Sequence, residues 1–282
     1  MVRILTVPLE KLWLKKLPRL DIGDTRIIPW KDLPGNIQEV IEARAKTFGG
    51  LDSIVFPFVL EMPARDDELP RRTLDRALTV FKLFKDDLVL ANLIFDGVKL
   101  ADYLPHYVHW RDRDRDLKQY QLDENEASDF ANFWRKFIEL PPGNFAVYRF
   151  HLADYRAYSR DRLTDYVESL EYLLVPDSGE GEIGYKFRSR GCLLFGKDAY
   201  STKRKAIYDE LKELYELRSA IVHGDSTRES KLVPDNVWEN RLRSLRHYNR
   251  EAIKFFFRKG CLDDSDRRRE LLEKELLFER KA

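Results

Sequence analysis

Cysteine is almost missing from this chain: Cys192 and Cys261 are the only two. Two thiols build neither a disulfide framework nor a cysteine-rich zinc cluster, and they suit a reducing cytosol. No apolar run approaches the ~20 residues that span a bilayer, so no transmembrane helix is expected. The opening MVRILTVPLEKLWLKK has too short an apolar run and too many charges for a secretory signal. The chain therefore reads as cytoplasmic. A Gly-rich phosphate loop and a nucleophile elbow are both absent, which leaves little support for a small-molecule enzyme with its pocket in the N-terminal half. A dominant charge sign is absent too. Lys and Arg number 50, Asp and Glu 49, and the net charge is +1. No global field draws the protein onto a polyanion, so any such site must be a local patch.

What is present is a core and a heavily ionic surface, with 43% hydrophobic and 35% charged residues. Residues 1–120 read as a mixed α+β domain. Arg26–Trp30 and Ser53–Leu60 are β-branched or aromatic runs bounded by Gly and Pro, the pattern of strands. Pro57 points to an edge or a bulge for the second. Leu69–Phe84 has helical periodicity, and Asp87–Leu100 reads as a hairpin around Asp96-Gly97. Arg111–Asp116, an alternating RDRDRD, reads as a solvated linker. His106 and His109 have a spacing that a metal could use, but no third ligand accompanies them and ordinary packing beside Tyr107 and Trp110 is expected. No metal and no cofactor is expected.

From Asp123 the texture turns helical. Expected helices are Glu124–Leu140, Phe145–Ser159, Asp161–Val175 with Asp161 as a candidate cap, Tyr185–Phe195, Ser201–Val222 and Pro234–Lys259. The reading is thus an α+β domain over 1–120, an all-α bundle over 121–262, and a charged helix or tail over 263–282, mainly helical overall. The boundary falls near residues 111–123.

The long helix carries the most informative residue. Projected at about 100° per residue, Ile207, Leu211, Leu214, Tyr215, Ile221 and Val222 share a stripe, and Arg218 stands within it. A buried guanidinium stays charged and must meet a carboxylate, phosphate or carbonyl. His223 follows five residues later, about 140° around an ideal helix. Gly224 is placed to end the helix in a left-handed cap. Either Arg218 reaches around, or two-fold symmetry brings the helix end against its copy. On spacing alone, an ion-pair anchor and a helix-dipole histidine explain the pair as well as a site does.

The local text is more specific. Leu214–Gly224, LYELRSAIVHG, resembles the signature of HEPN domains, in particular the Apea-like HEPN family. Ser169–Asp177, SLEYLLVPD, is similar to that family's second-helix segment and its Pro-Asp turn. Ile183–Gly196, IGYKFRSRGCLLFG, is similar to the short helix that follows. These pieces come in the family's order and, with the helices around them, cover about half the chain. The resemblance implies a HEPN-type bundle of four to five helices that dimerises, and metal-independent endoribonuclease activity in toxin, antiviral-defence or RNA-processing roles. Other members have lost catalysis and bind RNA, nucleotides or proteins. Carried onto this chain, the site is Arg218 and His223. The position after the arginine often holds Asn, Asp or His in active members; here it is Ser219.

RNA supplies its own nucleophile, the ribose 2′-OH, so cleavage needs a proton carrier and charge stabilisation rather than a metal. His223 suits the first task, and Arg218 the second. Glu171 flanks the stripe Leu163, Val167, Leu170 and Leu174, and is the candidate partner of Arg218. Ser219 is a supporting hydrogen-bonding group. Arg243, Arg246, Arg250, Lys254 and Arg258 recur at helical spacing opposite Leu242, Leu245, Ile253 and Phe256, a stripe able to track a phosphate backbone. Lys203–Lys205 is a second basic cluster. Tyr185 and Phe187 read first as core and second as base-stacking groups. Expected partners are RNA, a second copy of the chain and a regulatory protein such as an antitoxin; no membrane is expected. The competing reading is a non-catalytic HEPN dimerisation and RNA- or nucleotide-binding module.

Overall fold

The computed structural model describes residues 3–9, 12–49, 57–64, 69–85, 89, 91, 93–96, 99–103, 120–140, 143–177, 182–196, 201–233 and 238–275. The chain is mainly helical, with its described strands all before residue 124. It divides into two compact units, residues 1–140 and 141–282. Arg111–Asp116, His106 and His109 lie outside the described residues. Among the described residues, no helix is long and apolar enough to cross a membrane.

The first unit holds strands β1 (Arg3–Leu9), β2 (Leu12–Lys15), β3 (Leu20–Ile22), β4 (Thr25–Pro29), β5 (Phe58–Ala64), β6 (Leu93–Asp96), β7 (Lys99–Tyr103) and β8 (Tyr120–Asp123). Its helices are α1 (Gly35–Gly49), α2 (Pro70–Phe84) and α3 (Glu124–Ile138). The main sheet runs β3-β4-β5-β1-β6-β7, antiparallel throughout, while β2 pairs with β8 in parallel. From Leu5 to Leu9, β1 is buried on both faces, with Leu5, Val7 and Leu9 on one and Thr6 and Pro8 on the other, as a strand in the middle of a covered sheet must be. One core cluster joins Ile28, Val59, Leu93 and Phe95 of the sheet to Leu33 and Ile41.

Several expectations shift here. The hairpin expected over Asp87–Leu100 falls later in the chain, with β6 paired to β7 from Leu93↔Tyr103 to Asp96↔Lys99; Gly97 lies outside the described residues. Residues 51–56 lie outside the described ones, and the strand expected there runs on to Ala64. It is an interior strand, not an edge. Pro57 stands just before it, where a missing N–H breaks no ladder bond, and its carbonyl accepts from the Trp30 N–H at 3.1 Å. Helix α3, expected in the bundle, belongs to the first unit. Its Phe130 and Trp134 pack on Phe81 of α2, with ring centroids 5.2 and 5.7 Å apart. Burying such rings contributes roughly 2–3 kcal/mol each, so the aromatic face decides which core the helix joins.

The second unit is helical: α4 (Phe145–Ala153), α5 (Ser159–Leu174), α6 (Ile183–Phe195), α7 (Ser201–His223), α8 (Ser226–Leu232), α9 (Trp238–Arg258) and α10 (Ser265–Glu270), the last continuing as a π turn over Leu271–Glu275. Helix α5 is central and packs against α4, α6, α7 and α9. Its fully buried Leu163, Tyr166, Val167, Leu170 and Leu174 meet that demand. Asp161 does not cap it: the helix starts at Ser159, and Asp161 sits in the first turn. Helix α4 stops at Ala153, earlier than its periodicity suggests, and α8 was not foreseen. Of the two expectations for the C-terminal segment, helix or tail, the described residues form the helix, and it is packed rather than solvated. Arg268 is 1% exposed, stacks over Tyr172 at 4.6 Å and donates to the Leu262 carbonyl, while Leu271 and Leu272 are buried beside it.

Candidate functional site

Helix α7 is regular through His223 and ends in a Schellman turn. The Gly224 N–H donates to the Ile221 carbonyl at 3.2 Å, and the Asp225 N–H to the Ala220 carbonyl at 2.9 Å. Gly224 has φ of 68°, a conformation that costs an L-residue about 1–2 kcal/mol. The buried line along the helix is Ile207, Leu211, Leu214, Leu217 and Ala220. Three successive steps of three residues rotate this line around the helix, because α8 folds back onto its C-terminal end. The expected stripe therefore fails at that end: Val222 is 52% exposed. Arg218 lies at the edge of the core rather than in its middle, with its side chain 23% exposed.

Arg218 meets a second carboxylate besides the expected Glu171, whose charge it also feels. Its Nη2 pairs with Glu168 Oε1 at 3.7 Å, one turn before the expected Glu171. Glu168 also takes Arg149 Nη2 at 2.9 Å. Arg149 in turn donates to the buried Asp165 at 2.5 Å, and Arg156 Nε donates to the other Asp165 oxygen at 2.6 Å. The result is a ladder, Arg156–Asp165–Arg149–Glu168–Arg218, with alternating charge. Glu171 lies next to its end. Burial pushes the Glu171 carboxyl up, Arg218 pulls it down, Glu168 pushes it up again, and the Tyr215 hydroxyl beside it pulls it down; the net direction is upward. Tyr215 is raised in turn by burial and by Glu171. Hydrophobic periodicity does not single out Glu168, because Glu171 flanks the apolar stripe. Its signal was there: Asp165, Glu168 and Glu171 recur at three-residue spacing, one polar edge of α5.

Two donors of Arg218 remain under-used. The ion pair to Glu168 is long, and the buried Nε–H has no hydrogen-bond partner. Ser219 is half-buried, and His223 is exposed at the last helical position. From Arg218 to His223 the helix turns about 140° and rises about 7–8 Å. Val222 and Ser219 occupy the arc between them. The fold thus does not join the two side chains directly; it leaves them at the two ends of an accessible surface.

The remaining expected contacts are mixed. Arg243 and Arg258 are exposed on α9. Arg250 and Lys254 are largely covered and each lies 3.3 Å from Glu251. Burial raises that carboxyl, but Lys254 and Arg250 outweigh it and hold it below its usual range. Arg246 is half-buried, with its field acting on the buried Tyr166. The five residues are not one free cationic face. In the Lys203–Lys205 cluster, Arg204 Nε donates to the Gly196 carbonyl at 2.7 Å, closing the end of α6. Phe187 is core, stacked near Tyr215 at 5.3 Å, whereas Tyr185 is 52% exposed. Among the described residues, no group of three His, Cys, Asp or Glu side chains is arranged to hold a metal ion. Comparison with protein-family models, with curated proteins and with solved structures gives no match.

Proposed function

We propose that the second unit is a HEPN-type, metal-independent endoribonuclease acting in defence, toxin or RNA-processing biology, with Arg218 and His223 as its catalytic residues. The observation that carries the reading is the state of Arg218. A guanidinium held 3.7 Å from Glu168 and within the field of Glu171, yet with a buried Nε–H that no hydrogen bond uses, is prepared for an incoming anion. A phosphodiester lying across Val222 and Ser219 reaches both Arg218 and His223.

In this mechanism the ribose 2′-oxygen attacks phosphorus and the P–O5′ bond breaks. His223 takes the 2′-hydroxyl proton or returns one to the departing 5′-oxygen. Arg218 stabilises the charge on the non-bridging oxygens. The products are a 2′,3′-cyclic phosphate and a 5′-hydroxyl. Val222, one residue before His223, is exposed on the last turn of α7. A two-fold contact there makes the protein a homodimer and brings one copy's helix end towards the other's.

The test is cleavage of mixed single-stranded and structured RNA in EDTA, comparing wild type with His223→Ala. Cleavage lost in the variant, and absent on an all-2′-deoxy substrate, supports the reading. No cleavage by the folded wild type moves the conclusion to a non-catalytic RNA- or nucleotide-binding module. Ser219 and the near-neutral net charge of +1 favour that second reading.

A further inference from the structure

The end of the bundle that carries His223 also carries a cleft of about 510 Å³, lined by Tyr158, Ser159, Arg160, Asp161, Glu229 and Trp238. That volume falls in the range of small-molecule sites, ~300–1,000 Å³. Its position follows from the helices. Leu211 of α7 meets Gly191 together with Leu174 of α5, whereas Arg218 of α7 meets Glu168 of α5. The two helices therefore run antiparallel. Moving from Arg218 to His223, by about 7–8 Å, moves towards Ser159 at the start of α5. The Gly224-Asp225 turn then sends α8 across that end, where Glu229 takes Arg160 Nε at 2.5 Å.

The lining describes its occupant. Tyr158 is 72% exposed although it adjoins the bundle, and Trp238 offers a second aromatic surface. Glu229, 7% exposed, lines the same cleft. One of its oxygens pairs with Arg160; the other has no partner among the described residues. Arg160 offsets the charge of Glu229, and Asp161 sits in the first turn of α5, where the helix dipole offsets a negative charge. The cleft therefore lacks the net positive charge that a phosphate needs. The Tyr158 and Trp238 rings and the Glu229 carboxylate instead suit a planar heterocycle that donates N–H bonds. Stacking on aromatic side chains is how single-stranded nucleic acids are commonly held, and exocyclic amines pair with carboxylates.

We propose that this cleft is a base subsite, which takes an amino-bearing nucleobase of the RNA strand next to the bond that Arg218 and His223 attack. It rests on the ribonuclease reading for its role, but not for its existence as a binding site. Tyr158 and Trp238 supply the stacking surface, and Glu229 discriminates adenine, cytosine and guanine from uracil.

The experiment is calorimetric titration of the full-length protein with AMP, CMP, GMP and UMP, none of which contains a cleavable phosphodiester. The expected result is binding of the amino-bearing nucleotides about tenfold tighter than UMP. Tyr158→Ala, at an exposed position that folding does not depend on, weakens all of them by about tenfold, the scale of one lost base–aromatic stack. Glu229→Gln removes the discrimination while binding persists; melting curves of each variant confirm folding. Equal affinity for CMP and UMP, binding unaffected by Tyr158→Ala, or no binding at all overturns the proposal. So does an alkylguanidinium that outcompetes every nucleotide, which makes the cleft a cation site. Base-selective binding without RNA cleavage keeps the subsite and discards the nuclease. Cleavage without base-selective binding does the reverse.

Discussion

Arg218 and Glu168 are joined across α7 and α5 by a 3.7 Å ion pair, and Glu168 is shared with Arg149. Arg218 is therefore aimed before any substrate arrives, and its geometry depends on its planar fork. Arg218→Lys keeps the charge and loses the fork. We expect kcat/KM for RNA to fall about 100-fold, as for loss of one positioned transition-state donor, with melting temperature little changed. A variant as active as wild type removes Arg218 from the chemistry.

Glu171 gives a pH-dependent prediction. Its carboxyl is raised, chiefly by burial. A carboxylate raised in the folded state binds protons more tightly there than when unfolded, so its contribution to stability falls as pH rises through the folded value. Glu171→Gln removes that penalty. Denaturant titrations should show the variant equal to or more stable than wild type at neutral pH. Wild type should gain relative to the variant as the pH is lowered towards the ordinary carboxylate range. The opposite trend contradicts the assignment.

Asp177 behaves in the opposite sense. Burial pushes it up, but hydrogen bonds from Arg190 and Lys186 win and hold it well below its usual range. Its stabilisation is present above the unfolded pKa, about 3.9, and is lost as pH falls through the lower folded value. Asp177→Asn leaves Arg190, only 8% exposed, with one carboxylate fewer. We expect a loss of about 2–4 kcal/mol at neutral pH, read by urea unfolding, and a shrinking difference in strong acid.

Gly224 tests the helix end. Its φ of 68° and the two Schellman bonds fix where α7 stops and α8 starts. Nothing crowds its missing Cβ, so the cost of Gly224→Ala is conformational, about 1 kcal/mol. If His223 must be held at that end, RNA cleavage should fall by more than the small stability loss accounts for. Activity tracking the folded fraction alone refutes a positioning role for the turn.

Much of this was legible in the chain, and the misses have physical causes. The helix ends at Phe195 and His223 follow from Gly196 and Gly224, because helix breakers act locally. The sheet order was not legible: β1 carries Pro8 and sits in the middle, decided by its alternating Leu5, Val7 and Leu9 meeting β5. Helix α3 looked like a bundle helix because amphipathicity gives a face but not the surface it meets. At the candidate site, Arg218 and His223 are singled out by the local sequence alone, whereas Glu168 and the Tyr158–Trp238 cleft depend on how α5, α7 and α8 cross.

The ladder Arg156–Asp165–Arg149–Glu168–Arg218 also constrains how this protein can change. Removing any interior rung strands an odd charge on its neighbours, so single replacements are penalised where paired ones are tolerated. Loss of Glu168 should be relieved by second-site suppressors at Arg149 rather than by reversion alone. In diverging copies of this chain, the five positions are expected to drift together, as one inherited unit.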